Sequence, residues 1–178
     1  RNAFSGVISG SDGILVKSGG GVLELTGTNT YAGGTQIADG TLIASTSSAL
    51  GSGVVELGTT TDTTSVGKRL ELAVNGPVLS NALMFGAANR DGTSILRGAA
   101  SLNTISGTMA IDRPAGSNVL IVLPSAATTN VTGAIGGTGG FTLSGGGQLT
   151  LSSANTYGAL AGSAGAASPD LPSRLRRA

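Results

Sequence analysis

Apolar residues fall in bursts of three to five along this chain, separated by Gly, Asn, Asp and Ser. The bursts predict short strands at 14–16, 22–25, 35–37, 41–44, 54–57, 70–74, 78–85, 94–97, 108–111, 118–123, 141–143 and 148–151. Many alternate, as in Leu23-x-Leu25, Val55-x-Leu57 and Leu70-x-Leu72-x-Val74. A period of two turns one face inward and leaves the other to water. Between the bursts stand Gly19-Gly20-Gly21, Gly33-Gly34, Asp39-Gly40, Gly51-Ser52-Gly53, Asn75-Gly76, Asp91-Gly92 and Gly145-Gly146-Gly147, residues suited to tight turns. No stretch before residue 158 carries helical periodicity with caps, so the body reads as all-β.

The chain also repeats itself. Residues 6–31 and 133–157 align with one single-residue gap and thirteen identities. The identities include the glycine triplet, Leu23 with Leu149, Leu25 with Leu151, and Asn29-Thr30-Tyr31 with Asn155-Thr156-Tyr157. Short strands alone suit a sandwich or a barrel equally well. The repeat favours a solenoid, in which each coil is paired above and below and apolar side chains stack inward. Coils of roughly 20–30 residues give about five to seven rungs over residues 4–157, a rod of about 30 Å.

The segment from Gly13 to Ser45 resembles the passenger-associated repeat of bacterial autotransporters. Gly13, Lys17, Gly19, Gly21, Leu23, Leu25, Gly27, Asn29, Tyr31, Gly33 or Gly34, Thr35, Ile37, Gly40 and Leu42 occupy its pattern. A second, shortened copy holds Gly140, Gly145, Gly147, Leu149, Leu151, Asn155 and Tyr157. The resemblance implies a right-handed parallel β-helix, exported and displayed at the outer membrane through a C-terminal β-barrel. The implied partners are flanking passenger coils, that barrel, and a host surface protein or glycan. The implied role is a non-catalytic stalk that assists export and folding. The alternatives are an adhesin module and a β-helix polysaccharide lyase or hydrolase.

Composition narrows the chemistry. Gly is 31 of 178 residues, charged residues are 11%, aromatics 3%, and His, Cys and Trp are absent. Without His or Cys there is no Ser-His-Asp or Cys-His nucleophile, no ordinary zinc site and no disulfide. No cofactor is expected. No apolar run approaches the ~20 residues of a membrane-spanning helix. Net charge is +1, but the excess sits at the ends, in Arg1, Arg174, Arg176 and Arg177. Residues 2–169 hold eight acids against six bases, which leaves no basic face for nucleic acid. The first residue is Arg, and the chain reads as a fragment of a longer precursor.

Three acids, Glu24, Glu56 and Glu71, alternate with apolar neighbours and should point outward. They are a candidate carboxylate row for a divalent metal or for glycan cleavage. Their irregular spacing fits a solvated wall better. Asn29-Thr30-Tyr31 suits a corner, with Asn bonding its own backbone and Tyr covering the next rung. Thr59 to Arg69 reads as a polar loop and a candidate partner contact. Residues 158–178 turn Ala/Gly-rich, then Pro- and Arg-rich, and are expected to form a disordered tail or linker.

Overall fold

The computed structural model describes residues 1–58, 68–72, 77–86, 94–98, 102–113, 119–158 and 174–175. Among them every regular element is a strand. In chain order these are β1 (Asn2–Phe4), β2 (Ile14–Lys17), β3 (Val22–Leu25), β4 (Gly34–Ile37), β5 (Gly40–Ala44) and β6 (Val55–Leu57). Next come β7 (Lys68–Leu72), β8 (Val78–Leu79), β9 (Leu83–Phe85), β10 (Ser94–Gly98), β11 (Asn103–Ile105) and β12 (Met109–Ile111). The last are β13 (Val119–Val122), β14 (Thr128–Val131), β15 (Ile135–Gly136), β16 (Phe141–Ser144), β17 (Gln148–Leu151) and β18 (Arg174–Leu175).

The strands form three walls. Wall A runs β1-β3-β5-β7-β10-β13-β16, wall B runs β2-β4-β6-β9-β12-β15, and wall C runs β8-β11-β14-β17-β18. All pairs are parallel except β17 with β18. From β7 onward the chain visits A, C and B in turn, the path of a parallel β-helix. In the first coils Thr26–Tyr31 and Thr46–Leu50 cross the third side without a regular strand. Coil length varies from 19 residues between Leu23 and Leu42 to 28 between Leu42 and Leu70. Seven strands on wall A match the rung count expected from the repeat.

The period-two pattern sets what stacks inside. On wall A the inward column is Leu23, Leu42, Leu70, Leu96, Ile121 and Leu143. On wall B it includes Ile37, Leu57, Phe85 and Ile111, all buried. Each fully buried side chain of this kind contributes about 1.5–3 kcal/mol.

The structure departs from the sequence expectations in places. The apolar run 78–85 is two strands, because Asn81 donates from Nδ2 to the carbonyls of Gly51 (3.1 Å) and Gly53 (2.7 Å) and makes a corner there. Lys68 and Arg69 belong to β7 rather than to a loop, since Lys68 stacks on Gly40 and is fully buried. Residues 59–67 of that candidate loop lie outside the described residues, as does most of 158–178. Within the tail, Arg174–Leu175 pairs antiparallel with β17.

Candidate functional site

The repeat motif builds corners, and its residues are best followed along the coil. Gly13 precedes β2, and Gly33 N–H donates to its carbonyl. Leu15 and Lys17 share the inward parity of β2, so Lys17 turns in and is buried. Its Nζ donates to the carbonyls of Ser18 (3.1 Å), Gly19 and Asp39 (3.0 Å). One ammonium therefore ties the turn of its own coil to that of the next. Thr41 N–H donates to Gly21 O across the same corner. Leu23 and Leu25 then face inward, Leu25 fully buried.

Asn29 does not bond its own backbone. Its Oδ1 accepts from Ile8 N–H (2.8 Å) in the preceding coil, and its Nδ2 donates to Ala49 O (2.6 Å) in the following one. Tyr31 is fully buried, and the Cβ of any side chain at Gly51 would lie 2.9 Å from its ring. The Tyr31 hydroxyl meets Thr35 Oγ1 at 2.6 Å. Thr35 donates onward to Leu50 O (3.2 Å), so the tyrosine donates to the threonine. Gly34 opens β4, and Gly40 opens β5.

The second copy repeats the acceptor side of this bonding, while Asn155 Nδ2 donates within its own coil, to Ser153 O (2.7 Å). Ile135 N–H donates to Asn155 Oδ1 (2.8 Å), and Thr156 N–H donates to Ile135 O (2.8 Å). In the first copy Thr30 N–H donates to Ile8 O (2.8 Å). Yet the copies occupy different walls. In the first, the two strands around the glycine triplet are β2 on wall B and β3 on wall A. In the second they are β16 on wall A and β17 on wall C. The motif specifies strand, corner, strand and return bond, not a particular side of the prism. Gly140 precedes β16, and Gly145 and Gly147 flank Gly146 in the corner after it. Leu149 and Leu151 point inward, and Tyr157 packs on Phe141 with ring centroids 5.1 Å apart.

The three candidate acids do not converge. Glu24 and Glu71 lie on the outside of wall A with Ile43 between them, whereas Glu56 lies on wall B. Glu24 is bound by Arg1 (2.7 Å) and by Ser45 Oγ (2.7 Å). The Ser45 hydrogen bond, helped by Arg1, holds its carboxyl below the ordinary value. Glu71 pairs with Arg97 (2.7 Å), and Glu56 accepts from Gln36 (3.4 Å). Among the described residues no group of three or more acids could hold a metal ion. The alternation predicted the outward placement, and only the coil register shows that the acids fall apart.

Two predictions follow from the corners. Asn29→Ala leaves Ile8 N–H and Ala49 O without their partner, and the loss of stability in urea unfolding is expected to be about 1–3 kcal/mol. The second concerns the tyrosines, of which the chain has two. Burial raises the pKa of both Tyr31 and Tyr157 above 10.0. A raised folded pKa gives stability that is complete below the unfolded value and lost as pH rises through the folded one. Phenolate absorbance should therefore appear at higher pH than in the unfolded chain, above pH 10.0, and latest for the fully buried Tyr31. Phenolate that forms at ordinary pH with circular dichroism unchanged would contradict the burial.

A prism of short parallel coils, tied corner to corner by a twice-used motif, defines a solenoid scaffold. The profile of the passenger-associated-transport-repeat family matches residues 15–44 and 141–159, the two segments that build these corners. An adhesin BmaC autotransporter of Brucella suis biovar 1 (strain 1330) is 34% identical over 161 residues, 87% of this chain and 4% of that protein. The chain thus spans a small part of its relative's length. No solved structure gives a significant match. The chain carries autotransporter passenger repeats and is a passenger segment, secreted or displayed at the cell surface.

Proposed function

We propose that this segment is a non-catalytic stalk that assists export and folding of its passenger. The observation that carries the reading is the direction of the motif's bonds. Thr30 N–H donates to Ile8 O, and Thr156 N–H donates to Ile135 O, so each copy attaches to the coil that precedes it in the chain. Asn29 and Asn155 accept from the same earlier residues, Ile8 and Ile135. A chain built this way can add coils one after another on a finished template. Flanking passenger coils and the C-terminal barrel are its partners in this reading.

The test is to replace both Asn29 and Asn155 by Ala in the full precursor and to measure protease-resistant passenger at the cell surface. A clear drop is expected. Undiminished folded passenger would overturn the reading. The relative's name supplies a second one, that the passenger is an adhesin. Binding of cells that display the passenger with and without this segment tests it.

A further inference from the structure

The two ends of the solenoid differ. At the N-terminal end the first strand of wall A, Asn2–Phe4, is exposed along its whole length. Leu15, on the inward side of the first strand of wall B, is only partly buried. At the other end β17 is the last parallel strand of wall C among the described residues, yet Leu149 and Leu151 are only 0% and 2% exposed. Leu143 on β16, the last strand of wall A, keeps the partial exposure of an end position. What sets wall C apart is β18, in register with Leu149 and Thr150.

The hydrogen-bond parity of β17 shows what β18 covers. Gln148 N–H donates to Ala127 O and Ser152 N–H to Val131 O, so the even-numbered residues face β14. Successive residues of a strand aim their N–H and C=O groups to opposite sides, so Leu149 and Leu151 aim theirs away from β14. Leu175 therefore stands opposite Leu149 as a hydrogen-bonded pair, and Arg174 opposite Thr150 as a non-hydrogen-bonded one. A bare strand edge of this kind is a template for another chain. β14 runs parallel to β17, and β18 fills the next place in the opposite sense.

We infer that β18 is a cap that closes the wall C edge against a second copy of this chain, whose own β17 would otherwise pair there. The edge takes an antiparallel strand, as β18 shows. Two copies related by a two-fold axis present β17 to β17 in that same sense. With Leu149 opposite Leu151 of the second copy, the free N–H and C=O groups of both residues find partners, and Thr150 meets Thr150 at the centre. The strand is QLTL, with no charge to repel its copy. β18 belongs to the same chain, at an effective concentration on the order of 1 mM. At micromolar protein it outcompetes a second copy of equal intrinsic affinity by roughly a thousandfold. The cap concerns the folded chain alone and is independent of the stalk reading.

The test uses the full chain and two readouts. The first needs no variant. Leu123 N–H donates to Ser144 O, so Leu143 N–H faces the open edge of β16. Leu149 N–H is expected to exchange with deuterium about tenfold more slowly than Leu143 N–H, the scale of one hydrogen bond. The second uses Thr150→Cys in a chain without cysteine. In a β17–β17 pair the two thiols sit at a non-hydrogen-bonded site, with Cα atoms about 4.5 Å apart, within disulfide reach. With β18 intact, oxidised Thr150→Cys is expected to form no disulfide-linked dimer. Adding Leu175→Pro removes the N–H that faces Leu149 O, and a disulfide-linked dimer is expected. Adding Arg174→Ala instead leaves the backbone pairing in place and should give no dimer. The cap is overturned if Thr150→Cys, Leu175→Pro keeps the parent's circular dichroism and forms no dimer, or if dimer forms equally with Leu175 intact. Equal exchange at Leu149 and Leu143 in the parent overturns it as well.

Discussion

Leu96→Asp is expected to unfold the chain, whereas Ile95→Asp, one residue earlier, is expected to be tolerated. Leu96 is 2% exposed and sits between Leu70 and Ile121 in the inward column of wall A. A carboxylate there loses its water and gains no partner, and the leucine's own burial is lost as well. The combined loss should exceed about 5 kcal/mol, comparable to the whole stability of an ordinary domain. Ile95 lies on the outside, in register with Arg69 and Leu120. A carboxylate beside an arginine on a wall costs at most about 1 kcal/mol. Urea unfolding followed by circular dichroism measures both. Equal losses for the two variants would mean that the period-two parity does not set the core.

The second large effect concerns a glycine. Gly40 opens β5 with φ 72°, in the left-handed region. A Cβ at this position would lie 2.5 and 2.6 Å from the carbonyl oxygens of Gly19 and Gly21, and 2.8 Å from Lys17 Nζ. Gly40→Val combines backbone strain with overpacking against the preceding coil, each about 1–3 kcal/mol, for a total loss of about 2–6 kcal/mol. Gly40→Ala should lose nearly as much, because the first carbon already collides with backbone. Gly20 is the control, since a Cβ there meets nothing within 4 Å. Gly20→Ala is expected to change stability by about 0.5 kcal/mol or less. A Gly40→Ala variant as stable as Gly20→Ala would contradict this packing of the corner.

How much of this was legible in the sequence depends on the residue. The alternation in Leu23-x-Leu25 and Leu70-x-Leu72 announced strands with one inward face, and the repeat announced a solenoid. The inward parity of Lys17 was also on view, beside Leu15, but its three carbonyl partners include Asp39 of the next coil. Strands β1, β11, β14 and β15 escaped the pattern. Thr128–Val131 (TTNV), for example, is polar on both sides of Thr129, and it pairs because neighbouring rungs present free backbone to it. Asn29 was legible as a corner residue but not as a bond between coils, since Ile8 and Ala49 lie 21 and 20 residues away. The shift of the motif from walls B and A to walls A and C was not legible either. It depends on coil lengths, which range from 19 to 28 residues and are fixed only by stacking.

The claim that stands behind all of this is the stacking itself, and it can be measured as distance against rung number. The chain has no cysteine, so introduced pairs can be labelled without background. Gln36, Glu56, Met84 and Ala110 form one outward column on wall B. Spin-label pairs from position 36 to 56, 84 and 110 are expected to report backbone separations near 5, 10 and 14 Å, rising by about 4.8 Å per rung. A 36–56 separation well beyond about 10 Å, or distances that do not rise in that order, would contradict the parallel β-helix.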